Sequence, residues 1–152
     1  MRSGVDLVGL LATLVLGLAA GALLAEGAVL IPWWRSLPAE AFLVWYAANT
    51  SRLFWFFGML EAVSAVVVLV AAVLRRDRFF VAATLLALAV LAVFPLYFEK
   101  VNASFASATI APADVPAELA RYIWWHALRI VLGTAAFAAA LVGLSARRGS
   151  DV

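Results

Sequence analysis

Two glutamates stand where a carboxylate is costly. Glu26 lies six residues before Pro32 and Glu61 seven residues after Phe54, each inside a long apolar run and about 9–10 Å from its end at 1.5 Å per residue. Insertion scales put a charged side chain at mid-span at about 2.5–3.5 kcal/mol, so each carboxyl requires a partner. Arg129 and His126 are the natural ones, since a separation of three places them on one helical face. Glu99 and Asn102 repeat that spacing. Three carboxyls, a guanidinium, an imidazole and an amide can bind a metal, shuttle protons or hold the polar end of an apolar ligand. They can equally form a salt-bridged network that only locks helices together. His126 is the sole histidine, and an unperturbed imidazole pKa of about 6.5 suits acid or base work. Glu26, Glu61 and His126 also form a candidate metal set of two carboxylates and one imidazole. The Glu-x-x-His motifs of di-iron bundles and the two-histidine iron triad are not written in the chain. The sequence therefore names no cofactor and leaves a metal as an alternative.

The elements that must position these residues are apolar helices. Of 152 residues, 67% are hydrophobic and 13% charged, against about 25% charged in a soluble domain, which predicts a single all-α membrane domain over residues 1–152. About 20 residues cross a bilayer, and four such spans are expected, at about 5–31, 54–74, 79–98 and 121–145. Arg2 followed by an apolar run resembles a secretory signal. The stretch from Leu7 to Ile31, interrupted only by Glu26, is far longer than a signal core and reads as a retained span. Net charge is +2 with no basic stripe, so nucleic acid is not an expected partner. Absence of cysteine removes disulfides, thiolate metal sites and paired-thiol redox chemistry.

Four spans put both termini on one side with the Arg75, Arg76 and Arg78 turn. The positive-inside rule then places the termini in the cytoplasm of a multi-pass cell-membrane protein, with loops 32–53 and 99–122 outside. Small residues at steps of four mark contact faces between helices in lipid. Gly9, Thr13, Gly17, Gly21 and Ala25 form one such series, and the Gly17/Gly21 pair offers a face for homo-oligomers. Gly133, Ala136 and Ala140 fall on the side of His126 and Arg129, and Gly58, Ser64 and Ala65 neighbour Glu61. Aromatic residues gather at the outer ends, Trp55 and Trp125 among them. They suit an interfacial belt or, where they face inward, a wall for a flat ligand. Asn49-Thr50-Ser51 and Asn102-Ala103-Ser104 match a glycosylation pattern.

The segment GALLAEGAVLIPWWRSLP from Gly21 to Pro38, the second apolar run, Asn102, and Trp125-His126-Ala127-Leu128-Arg129 together resemble the anthrone-oxygenase-like family of small four-span membrane proteins. The resemblance implies oxidation of aromatic anthrones to quinones without haem or flavin, with His126, Arg129, Asn102 and Glu26 at the family's polar positions. Residues 103–120 depart from it, being rich in alanine, serine and proline rather than asparagine and arginine. On this reading the chain is an oxygenase or related redox enzyme for a hydrophobic aromatic or quinone-like molecule. His126 would be the base, Arg129 would stabilise an enolate, and Glu26 and Glu61 would tune the pair. Glu99, Asn102, Trp125 and Trp55 would contact the ligand. Two other classes remain open: a small proton-coupled multidrug-type transporter, and a non-catalytic subunit of a membrane complex.

Overall fold

The structure, a computed structural model, describes residues 2–148, with side chains for residues 4–146. The side chains of Arg2, Arg147 and Arg148, which enter the orientation argument, lie outside the described set. Four long helices account for almost all of the described chain, and no strand occurs among the described residues. The first runs over residues 2–36, the second is Ala39–Arg75, the third Arg78–Ala106 and the fourth Val115–Arg148. All four are long and apolar enough to cross a membrane.

Each helix outruns its expected span. Residues 39–53, expected in a loop, are helical, and the first helix continues past Pro32 to Ser36. The reason lies in the turn before that proline. Glu26–Leu30 winds as a π-turn, which widens the coil where a proline ring would otherwise press on the carbonyl four residues back. Two more π-turns, Phe54–Gly58 and Phe94–Phe98, interrupt the second and third helices. The second helix, at 37 residues, is about 55 Å long at 1.5 Å per residue, well beyond a hydrocarbon layer of about 30 Å.

The turns are short and chemically specified. Leu37 is extended (φ −82°, ψ 149°) because Pro38 follows it, and that breaks the first helix from the second. Arg76 takes a left-handed conformation (φ 50°, ψ 41°) and its N–H closes on Ala72 O. Asp77 then caps the third helix, its carboxylate accepting from Phe79 N at 2.8 Å and Phe80 N at 3.3 Å. Each helix packs on its neighbours in sequence, and the fourth closes back on the first.

Two cores of different character stack along the bundle. Toward the end that carries the termini, the interior is small: Ala12, Ala65, Ala71, Ala83, Ala87, Ala136 and Ala140 are all buried, while Leu14, Val66, Val73, Leu85 and Val131 point outward. That inversion suits lipid, where helices gain from close van der Waals approach rather than from hiding apolar area. Toward the other end, Trp34, Phe42, Tyr46, Phe98, Phe105, Leu119 and Tyr122 form an aromatic core. The second helix is long enough to carry this core past a hydrocarbon layer, and in water burying a phenylalanine contributes about 1.5–3 kcal/mol.

At the terminal end Arg75 turns inward instead of standing in a solvated basic turn. Its side chain is fully buried. It donates to Gly143 O on the fourth helix at 3.3 Å, pairs with Asp6 at 3.3 Å and lies 4.7 Å over the Phe80 ring. The glycine series on the first helix also divides. A step of four advances about 40° beyond a full turn, so residues at strict fours drift around the helix. Gly9 meets Arg75 and Gly17 meets Phe137 within the bundle, whereas Gly21 has nothing within 4 Å. Gly17 thus packs inside the bundle, while Gly21 is open to the outside.

Gly143 gives a test of this packing. A Cβ there would sit 2.9 Å from Phe80 Cδ2 and 3.0 Å from Asp77 Oδ1 and Phe79 Cβ. Gly143→Ala should lower stability by about 1–3 kcal/mol through overpacking, in spite of the better helix propensity of alanine. Gly21→Ala should be neutral or stabilising. Equal denaturation midpoints for the two variants in detergent would refute the packing assignment.

Candidate functional site

The ionisable residues meet at the junction of the two cores. Glu26, Glu61, His126 and Arg129 come from three helices and are each at most 8% exposed. Arg129 and Glu61 form an ion pair across the diagonal of the bundle, between the fourth helix and the second. The guanidinium also lies 4.7 Å over the ring of Phe98. A charge withdrawn from water gains from both contacts, since an aromatic face attracts a cation most strongly where solvent is excluded.

His126 is held by the first helix. Its Nε2 is 2.9 Å from Leu23 O, and a carbonyl can only accept, so Nε2 carries the proton of that bond. Nδ1 then faces Glu26 Oε2 at 3.7 Å. Tyr122, stacked on the imidazole with centroids 6.3 Å apart, donates its hydroxyl to the other oxygen, Glu26 Oε1, at 3.2 Å. A neutral imidazole with its proton on Nε2 presents a lone pair at Nδ1, and so does an ionised carboxylate at Oε2. One proton between them removes that conflict. It also makes the cluster electrically neutral: one arginine cation, one glutamate anion, and a Glu26–His126 pair that shares one proton between Oε2 and Nδ1 besides the one on Nε2.

Close approach of the first and fourth helices here depends on Gly27, where a Cβ would fall 2.8 Å from Ile130 Cδ1 and 3.2 Å from His126 Cδ2. Neither Gly27 nor Tyr122 stands among the site residues expected from sequence. For Tyr122 a signal existed: it precedes His126 by four and Arg129 by seven, the repeat of one helical face.

A cavity of about 100 Å³ opens between the second and third helices. Glu61, Arg129, Asn102, Tyr122 and Tyr46 form its polar end, and Phe54, Phe57 and Phe94 its apolar walls. Asn102 Oδ1 and Arg129 Nε are buried without a hydrogen-bond partner, as are Glu26 Oε2 and His126 Nδ1. Phe54 and Phe94, whose centroids are 6.3 Å apart, belong to two π-turns that face each other across the mouth. Phe54, which is 54% exposed, puts one wall of the cavity at the surface of the bundle.

Several expected contacts fall elsewhere. Glu99 is exposed, because Phe98, Val101, Asn102 and Phe105 take the inward face of the third helix. Trp55 is 62% exposed and meets Phe54 edge-on, away from the cavity. Trp125 stacks on Tyr97 at 5.2 Å and lines no part of the cavity. His126 and Glu26 also stand outside its lining, one layer behind Tyr122. The proposed metal set does not converge: among the described residues no group of three His, Asp or Glu could hold an ion. Arg129 draws the Glu61 carboxylate away from the Glu26–His126 pair, so the donor set does not fit a metal.

The ion pair predicts an asymmetric mutational response. Removing one partner of a buried pair strands the other charge at about 3–5 kcal/mol, so Arg129→Met and Glu61→Leu should each lower stability by that order. The double variant, with no charge left over, should recover most of the loss. A strictly additive double variant would show that the two side chains do not share this pair. Models of protein families, curated proteins and solved structures were all compared with the chain, and none matches it.

Proposed function

We propose that the chain is a membrane-embedded enzyme of oxygenase type, acting on a hydrophobic aromatic or quinone-like molecule that enters sideways from the lipid. The observation that carries this reading is the cavity itself: unpartnered Asn102 Oδ1 and Arg129 Nε at its closed end, phenyl rings at its mouth. An engineered cavity of 150 Å³ admits a benzene. A space of about 100 Å³ therefore takes only the oxygen-bearing edge of a polycycle, with the remainder between Phe54, Phe57 and Phe94.

The chemistry that fits is proton removal next to a carbonyl. Arg129 Nε–H donates to the carbonyl oxygen as it becomes anionic, the kind of preorganised stabilisation that operates best away from water. The proton passes to the Tyr122 hydroxyl oxygen as that hydroxyl releases its own proton to Glu26, and it comes to rest on the Glu26–His126 pair. His126 acts as the end of a relay and does not touch the substrate. The charge created on the substrate is matched by the proton gained one layer behind it, so the site stays neutral overall. The carbanion passes an electron to dioxygen, and the two radicals combine to a peroxide. Return of the proton and loss of water leave a second carbonyl: one methylene and one dioxygen give one carbonyl and one water.

With Arg129 and Arg75 both buried and paired, the site end keeps Arg35, Arg52, Lys100 and Arg121, against Arg2, Arg76, Arg78, Arg147 and Arg148 at the terminal end. By the positive-inside rule the termini are cytoplasmic in the cell membrane and the site lies in the outer half.

An anthrone serves as the probe. Dioxygen uptake should exceed the uncatalysed rate and match anthrone consumed one to one. Tyr122→Phe and His126→Ala should each reduce it by about 10²–10⁴-fold, the usual contribution of a positioned proton acceptor, with helicity retained. Full activity in Tyr122→Phe would remove the relay, and a wild-type protein no faster than buffer would remove the oxygenase reading.

A further inference from the structure

On the opposite side of the third helix from the cavity, a groove of about 330 Å³ runs between the third and fourth helices. We propose that it holds the headgroup of an anionic phospholipid, with the phosphate between Lys100 and Arg121 and an acyl chain over Leu96.

The level of the groove is right for a headgroup. Lys100 lies 22 residues beyond Arg78, about 33 Å at 1.5 Å per residue, which is just past a hydrocarbon layer of about 30 Å. Leu96, one turn deeper, is 72% exposed and continues the lipid-facing surface into the groove. Tyr97 provides the floor, stacked on Trp125 as aromatic residues at this depth do.

The charge is also right. Glu118 is already engaged by the Tyr97 hydroxyl at 2.7 Å and by an ion pair with Arg121. Lys100 has no ion-pair partner among the described residues. One net positive charge therefore faces outward, close to a guanidinium whose side chain is 69% exposed. A zwitterionic lipid brings its own cation to this place, whereas an anionic one does not. The exposed Leu96 beneath the cations favours a lipid over a free phosphate ion, which has nothing to lay there.

The full chain, reconstituted in vesicles of equal parts phosphatidylcholine and phosphatidylglycerol, should carry phosphatidylglycerol preferentially when released for native mass spectrometry. Lys100→Gln should reduce that adduct about fivefold and the Lys100→Gln/Arg121→Gln pair about 30-fold, as expected for one and two surface cations. Arg52→Gln, an exposed cation at the same end of the molecule, should leave it unchanged. Equal binding of both lipids by the wild type, or full retention by the double variant, would overturn the site. Loss of the adduct in Arg52→Gln would reduce it to a general charge effect, and displacement by inorganic phosphate would reassign it to a free anion. Both results contradict the proposal.

Discussion

The charge of Arg129 is the constraint around which this bundle is arranged. A guanidinium stays protonated in any protein environment, so a chain that buries one must bring an anion to it. Glu61 answers from the diagonally opposite helix, and the link spans two elements that do not pack on each other as neighbours. Arg75 does something comparable at the other end, from the second helix to a backbone carbonyl of the fourth. Between these two ties the interior is mostly alanine, with Leu16, Val68 and Phe80 among them. Once the Arg129 pair is placed, Phe98 has its cation to face and Asn102 and Tyr122 have a polar space to border. Glu26 is left to settle its own charge with His126.

The junction of the cores gives the site its character. Beneath it, alanine packing brings backbones close. Above it, fitted rings shut out water. A polar cluster exposed to solvent would be screened and weak, and one deep in the alanine layer would find no room, whereas here low dielectric and a small void coincide. The cavity reaches the surface of the bundle beside Phe54, where the π-turns of the second and third helices meet through Phe54 and Phe94.

How much of this could be read from the sequence depended on what each residue is forbidden to do. An apolar run of 20 or more residues cannot be left in water, so the four helices and their all-α class were legible. Ionised side chains cannot be left alone in lipid, and that alone was enough to group Glu26, Glu61, His126 and Arg129. Helix ends were another matter. Residues 39–53 mix polar and aromatic types because they cover the cap rather than face lipid, and such a mixture reads as a loop. Arg75 was hidden by its company: among three arginines in a turn, nothing marks the one that folds inward. Glu99 and Asn102 share a spacing but not a fate, because three residues turn a helix by about 300°, which leaves Asn102 beside Val101 and Phe105 and Glu99 outside that face. The π-turns themselves were no plainer, although Pro95 lies in that of the third helix. In FWFFG, the turn of the second helix, not even a proline announces it.

Those three turns bear on how such a site can arise or vanish. A π-turn holds one residue more than the α-turn it replaces, and beyond it the helix resumes with the same faces turned inward. Excising one residue from Glu26–Leu30 would thus leave Trp34 under the cap and the bundle intact, while the widened coil that admits the Glu26 carboxyl would close. A polar centre built in this manner is separable from its scaffold by single-codon insertions and deletions. Proteins sharing the bundle without the chemistry would be recognised by one-residue gaps at these places rather than by a changed pattern of apolar residues.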